Sequence, residues 1–160
     1  LGMAEKHDTS LYSLIEEERQ GGRYDLSTYT TFSQRADRYV NDFLNVIKAH
    51  REEGRKIIGY GAAAKGSTFS SYSKLEVDYI VDDNTLKWEH YTPDGTVKIF
   101  GSAFLASEVG AVTVVIFAWN FFEEIASRID QIISAESEER DFQYITYFPE
   151  LKLTSCNKNV

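Results

Sequence analysis

The sequence predicts a Rossmann-like α/β fold, in which helices flank a parallel sheet and a helical lead-in comes first. Three observations support this prediction. Strand-like and helix-like segments alternate from residue 55 onward, a glycine-rich turn follows the first strand, and apolar residues recur at helical spacing before residue 54. We therefore divide the chain into a helical lead-in, residues 1–54, and a Rossmann-like domain, residues 55–160.

The lead-in is predicted as two helical segments separated by Gly21 and Gly22. Apolar residues in the second segment recur every three or four positions, as on one face of a helix: Phe32, Ala36, Tyr39, Val40, Phe43, Leu44 and Ile47. Gly54 suits the position just past the end of this helix, where a left-handed backbone is favoured.

Four short apolar segments of the second region are predicted as strands, at residues 56–60, 77–81, 112–118 and 142–148. Helices are predicted at residues 67–73 and 102–108 and again after the third strand. Asn120 is expected to cap that last helix, with Glu123 completing a capping box. Because right-handed crossovers bury a parallel sheet from both sides, ligands are expected at the carboxyl ends of its strands.

Composition limits the possible functions. A chain of 160 residues with a formal net charge of -8 does not suit a nucleic-acid or anionic-membrane partner, because both need a basic surface. The longest apolar run is too short to span a bilayer, so we expect a cytoplasmic protein. Cys156 is the only cysteine, so no metal site or disulfide is predicted. Met3 follows two other residues, which leaves open a tag remnant or a piece of a longer chain.

The stretch GYGAAAKGST, residues 59–68, has the features of a phosphate-binding turn. Gly59, Gly61 and Ala64 fit the pattern G-x-G-x-x-G/A, which brings a backbone close to a pyrophosphate at a helix N-terminus. Lys65 adds a cation and Ser67 a hydroxyl. The alternative interpretation is that these small residues serve close packing only.

Polar and aromatic residues follow two other predicted strands. Asp82 and Asp83 end the second strand, roughly 20 residues after the glycines, where dinucleotide-binding folds carry a ribose-binding carboxylate. Trp119 and Asn120 follow the third strand. Each has a plainer interpretation, as turn former, core residue or helix cap. Their convergence on one sheet edge favours a ligand site.

Several segments together resemble one family: GYGAAAKGST, VDYIVDDNTLKWEHYTP, VTVVIFAWNFFEEI and YITYFPELK. They are similar to the C-terminal domain of SAM-dependent sugar C-methyltransferases, which act on nucleotide-linked deoxysugars. The resemblance implies a Rossmann-like domain that binds the nucleotide sugar. It also implies a methyltransferase domain in the same chain as partner, with SAM and zinc held by domains outside this sequence and no cofactor here.

The resemblance implies which residues contact the substrate. Gly61, Ala62, Lys65, Gly66 and Ser67 would hold phosphate, while Trp119 and Asn120 would line the opposite wall. Ribose, base or sugar would meet Asp82, Asn84, Lys87 and Tyr91, and Tyr60 completes the predicted set. No catalytic residue is assigned, because the family's catalytic segment is absent, and this sequence alone is not expected to methylate a substrate.

The sequence departs from the family pattern in one loop. Thr85 stands where proline is usual, Trp88 and Glu89 replace Gln-Gly, and the Pro93 turn carries an extra residue. Two other classes stay open. One is an NAD(P)-binding domain of an oxidoreductase or sugar epimerase. The other is an interaction module that docks through the aromatic lead-in, although we expect that aromatic face to be buried against the sheet.

Overall fold

The computed structural model describes residues 2–134 and 140–156, with the side chains of residues 2–9 left aside. The chain forms two compact units, Leu1–Val40 and Asn41–Val160. The predicted boundary between residues 54 and 55 lies at the end of a helix and stays a prediction. No helix among the described residues is both long and apolar enough to cross a membrane.

Two helices make up the lead-in, as predicted. Helix α1 covers Gly2–Gln20 and α2 covers Leu26–Glu52. Gly54 follows α2 with a φ of 80°, which confirms its predicted place just past the helix. The expectation that the whole aromatic face is buried is wrong, because Phe43 is buried whereas four other rings of that face are exposed: Tyr12, Tyr24, Tyr29 and Phe32.

The second unit confirms the predicted α/β fold. Within the described residues, six strands form one sheet in the order β3-β2-β1-β4-β5-β6. The first five are mutually parallel and the sixth is antiparallel. They are β1 (Lys56–Tyr60), β2 (Tyr79–Asp82), β3 (Ile99–Gly101), β4 (Gly110–Ile116), β5 (Arg140–Thr146) and β6 (Lys152–Ser155). The chain passes from one half of the sheet to the other between β1 and β4, the position at which ligands bind in doubly wound sheets.

Helices α3 (Ala64–Ser73) and α4 (Phe122–Ser134) follow β1 and β4. The predicted helix at 102–108 is a 3-10 helix, Ser102–Ser107. Asn120 is not the predicted cap. It lies inside another 3-10 helix, Trp119–Phe121, which precedes α4. This 3-10 helix ends directly before α4, so Asn120 does not occupy the capping position of α4.

Alternating residues of the sheet build two apolar layers. Ile58, Val114 and Tyr144 face α4, whose Ile125 and Ile129 belong to the same buried cluster. The opposite layer is aromatic. Phe43 of α2 meets the Phe69 ring of α3 edge to face at 5.1 Å, and Phe69 stacks on Tyr147 at 3.8 Å. Strands covered on both faces explain the continuous apolar runs in the sequence.

Phe117 comes just after β4 and packs between two glycines. A Cβ on Gly59 would come within 2.5 Å of its ring, and a Cβ on Gly66 within 2.7 Å. Gly59 lies in β1 and Gly66 in the first turn of α3. The glycines of the turn thus let one aromatic ring hold a strand and a helix together.

A buried polar network closes the opposite, amino-terminal edge of the sheet. Arg55 is buried and donates from Nε to Thr113 Oγ1 at 2.9 Å, and it forms an ion pair with Asp141. His50 Nδ1 lies 2.8 Å from the same hydroxyl. Thr113 Oγ1 has two lone pairs and one O–H, so beside the bond from Arg55 it can accept from a protonated Nδ1 or donate to an unprotonated one. Burial, and next the Arg55 charge, lower the pKa of His50.

We predict that Gly66→Ala lowers the free energy of unfolding by roughly 1–3 kcal/mol, because the new methyl group overlaps Phe117. Chemical denaturation measures the loss. Ser71→Ala, an exposed change in the same helix, is the matched control and should cost nothing. A loss that persists undiminished in a Phe117→Ala background would contradict the packing explanation.

We also predict that stability falls as pH drops below about 6.5, the ordinary pKa of a histidine. A lowered pKa in the folded state means that the unfolded chain binds the proton more readily, so protonation favours unfolding. The stabilising contribution is complete above the unfolded pKa and is lost on acidification. Denaturation at several pH values should show a shallower slope for His50→Gln than for the parent, and an identical slope would rule out His50 as the source.

Candidate functional site

The ends of β1, β2 and β4 bring most of the predicted residues to one edge of the sheet. The turn at residues 61–63 leaves β1, Asp82 is the last residue of β2, and Trp119 follows β4. The turn residue Gly61 has a φ of 94°, a conformation that other residues rarely adopt. The glycine pattern therefore serves two purposes: Gly59 and Gly66 admit Phe117, and Gly61 makes the turn.

Asp82 holds this turn in place. Its side chain is buried, and Oδ2 accepts a hydrogen bond from the Ala62 N–H at 2.8 Å. The same oxygen forms an ion pair with Lys87 Nζ at 2.8 Å. Oδ1 accepts the Asn84 N–H at 2.8 Å. Lys87 Nζ also donates to the Ala62 carbonyl at 2.9 Å. The structure thus gives Asp82 and Lys87 a role in positioning the turn, and their predicted contact with a ligand stays a prediction.

The beginning of α3 offers donors to an anion. Ser67 N–H makes the first bond of the helix, to the Ala63 carbonyl at 3.0 Å, so the amides of residues 64–66 lie ahead of it. Among the described residues, no side chain caps this end. The exposed Lys65 side chain extends from the same turn of helix. Positive charge and oriented amides at a helix N-terminus favour a phosphate group.

Trp119 and Asn120 lie beside Lys65, and their predicted place in the wall of a ligand site stays a prediction. Lys65 Nζ lies 4.6 Å from the centroid of the Trp119 ring and 3.4 Å from Asn120 Oδ1. Phe148, two residues after β5, packs beside Trp119, and the two ring centroids are 4.5 Å apart. The sequence analysis did not select Phe148, because its place beside Trp119 depends on strand order rather than on spacing.

A second cluster lies at the same edge on the α4 side. Asp83 Oδ2 accepts the Tyr60 hydroxyl at 2.8 Å and pairs with Arg128 at 2.7 Å, while Oδ1 accepts the Ser102 hydroxyl at 2.6 Å. Burial raises the pKa of Tyr60, and the bond to Asp83 raises it further. Burial alone would raise the pKa of Asp83, but these hydrogen bonds outweigh it and the pKa is lowered. Tyr60 is therefore held by an internal partner.

The remaining predicted residues lie in the excursion between β2 and β3. Asn84 caps a short 3-10 helix by accepting the Leu86 N–H, and Tyr91 is exposed and bridges to Lys98. One family departure in this loop, Trp88, has a structural explanation. Trp88 packs against Gly101 and donates from Nε1 to the Asp82 carbonyl at 2.7 Å. Glu89 keeps a positive φ of 63° where the family pattern has glycine.

Among the described residues, no three His, Cys, Asp or Glu side chains come together as metal ligands would. The groups that this edge presents are the Lys65 cation, the amides at the start of α3 and the Trp119 ring. The pKa of Tyr60 is raised at this edge, and its hydroxyl already donates a hydrogen bond to Asp83.

Comparison with known proteins gives two matches. The family model described as C-methyltransferase C-terminal domain matches residues 2–149. The C-methyltransferase NovU of Streptomyces niveus is 24% identical over 150 residues. That alignment covers 92% of this chain and 34% of NovU, so the chain spans about a third of the length of this curated relative.

We predict that Asp82→Asn loosens the turn and lowers the free energy of unfolding by roughly 1–3 kcal/mol. An amide cannot accept from both sides, so its NH₂ group must face either the Asn84 N–H or the donors Ala62 and Lys87. Hydrogen exchange at the Ala62 amide measures the effect and should accelerate. Asp94→Asn, in the exposed turn before β3, is the control. Unchanged exchange at Ala62 would show that Asp82 does not hold the turn.

Proposed function

This chain belongs to the C-methyltransferase C-terminal domain family, and we propose that it is the nucleotide-sugar-binding domain of a SAM-dependent C-methyltransferase that acts on a nucleotide-linked deoxysugar. The observation that carries the proposal is the placement of Lys65 and the uncapped start of α3 beside Trp119, at the carboxyl edge of a Rossmann-like sheet. A cation and oriented amides there suit a phosphate, and the aromatic ring suits a flat group.

The diphosphate of the ligand would lie against the first turn of α3. Lys65 supplies a cation, and the amides of residues 64–66 supply oriented donors that have no place in the helix ladder. The Ala62 N–H would not bind the diphosphate, because it already donates to Asp82. Phosphate binding would therefore rest on α3 itself more than on the turn that leads to it.

The length of NovU suggests how substrate binding and methyl transfer are divided between domains. Because NovU is about three times as long as the aligned region, we infer that a complete protein carries further domains. SAM, held by another domain, supplies the methyl group. The residues of this chain bind the nucleotide and orient the sugar, so binding energy from the remote nucleotide places the reacting carbon.

Asp82 weighs against an NAD(P)-binding domain. Such a domain uses a carboxylate at the end of the second strand to accept the ribose hydroxyls. Here both oxygens of Asp82 accept hydrogen bonds from the protein itself, and the side chain is buried. The dehydrogenase interpretation therefore lacks its second recognition element.

A titration of this chain with a dTDP-linked deoxysugar and, separately, with NAD⁺ tests the proposed function. We expect heat of binding for the sugar nucleotide in isothermal titration calorimetry and none for NAD⁺ at the same concentration. Binding of NAD⁺ alone would overturn the proposal in favour of a dinucleotide-binding domain.

Lys65→Ala should weaken sugar-nucleotide binding about tenfold, because a charge-assisted bond to phosphate is lost. Lys74→Ala is the matched control, since Lys74 lies just past the opposite end of the same helix. Equal affinities for the parent chain and Lys65→Ala would remove Lys65 from the site.

A further inference from the structure

Six large apolar side chains are exposed on the two helices of the lead-in, with exposed fractions between 53% and 80%. In α2, residues of this set are spaced by three positions, so they lie along one side of the helix. We call the six residues the lead-in face: Leu11, Tyr12, Leu14, Leu26, Tyr29 and Phe32.

The lead-in face has no core beneath it. Residues 1–40 form a compact unit of their own, and none of residues 10–40 is buried. Amphipathic helices gain most of their stability by packing an apolar side against another surface. Monomeric soluble proteins rarely leave so much apolar surface uncovered. The face is therefore expected to have a partner.

The composition around the face is that of a protein–protein interface. Residues 10–40 contain four arginines and no lysine, whereas residues 41–160 contain four arginines and eight lysines. Interfaces are enriched in tyrosine, phenylalanine and arginine and depleted in lysine relative to other protein surfaces. Because a membrane-binding helix would carry lysines and arginines in excess of carboxylates, the partner is a protein surface.

The charges of this unit suit contact between two copies of it. Residues 10–40 carry five carboxylates and four guanidinium groups, whereas residues 41–160 carry eighteen carboxylates and twelve cations. Arg19 lies 3.1 Å from Glu16 and Arg23 lies 3.2 Å from Glu18, so these charges are paired within the unit. A two-fold contact sets one surface against itself, so that surface must not repel its own copy. The nearly neutral lead-in meets this condition.

The area of the face also matches a dimer. An aromatic side chain covers roughly 150–250 Å² when it is buried, so a ring that is about three-fifths exposed still offers roughly 100 Å² or more. Six such side chains together offer on the order of 600–800 Å², and a standard interface takes ~800 Å² from each partner. One copy therefore supplies about the surface that a stable two-fold contact needs.

We propose that a second copy of this chain covers the lead-in face, so that the protein is a two-fold symmetric dimer joined through residues 10–40. Tyr29 and Phe32 lie at the centre of the contact. Arg35 is exposed one turn beyond Phe32, where its guanidinium stacks on an aromatic ring of the other copy. This dimer does not depend on the proposed nucleotide-sugar function.

Sedimentation velocity of the 160-residue chain between about 1 and 100 µM tests the proposal. We expect a species of twice the 18.3 kDa chain mass, with a dissociation constant in the micromolar range. Phe32→Gln and Leu14→Gln, one change in each helix, should each raise that constant at least about tenfold, because an apolar contact is lost. Glutamine keeps the helix propensity, so the helices persist.

Leu86→Gln is the matched control. Leu86 is 82% exposed but lies in the excursion between β2 and β3, so its replacement should leave the dimer unchanged. Amide NMR signals of the sheet should keep their positions in all three variants, which separates a lost contact from a lost fold.

Three outcomes would overturn the dimer. A chain that stays monomeric at about 100 µM leaves the face to another part of a longer protein. A dimer that is equally tight in Phe32→Gln and in the parent is formed by a different surface. A dimer that dissociates in about 1 M salt is held by charges rather than by rings. None of these outcomes bears on the nucleotide-sugar function, which the titration with a dTDP-linked deoxysugar tests separately.

Discussion

The contact of Phe117 with Gly59 and Gly66 is the constraint on which the arrangement of the site depends. The ring comes so close to both glycines that a single methyl group on either would overlap it. This contact packs the first turn of α3 against the segment that follows β4. Trp119, two residues beyond Phe117, then lies beside Lys65. A packing contact in the core thus sets the distance between a cation and an aromatic wall at the surface.

Asp82 provides the second constraint, and it changes how the glycine-rich turn is understood. The carboxylate accepts one N–H of the turn and pairs with Lys87, which binds the carbonyl of the same residue, Ala62. A turn whose hydrogen bonds are satisfied internally is preorganised before a ligand arrives. The donors that the turn leaves unused then belong to the start of α3.

The sequence was sufficient for the features that depend on local pattern. Buried strands β1, β2, β4 and β5 are apolar runs, and the glycine turn after β1 has a recognisable spacing. Strands β3 and β6 escaped detection because they lie at the sheet edges and, unlike the fully buried β2, are not continuous apolar runs. The partners of Phe117 and the packing of Phe148 beside Trp119 could not be predicted, because they arise between segments that are distant in sequence. Asn120 failed as a cap for a similar reason, since Lys65 lies beside its side chain and a 3-10 helix occupies the turn.

Amide NMR of the chain during addition of a dTDP-linked deoxysugar tests the central claim most directly. The account predicts large shifts for the amides of residues 64–66 and for the Trp119 indole N–H, while the Ala62 amide keeps its bond to Asp82 and its slow hydrogen exchange. Such a map would place the ligand across α3 and Trp119 with the turn as a fixed support. Shifts confined to residues away from this edge, or loss of protection at Ala62 on binding, would contradict the account.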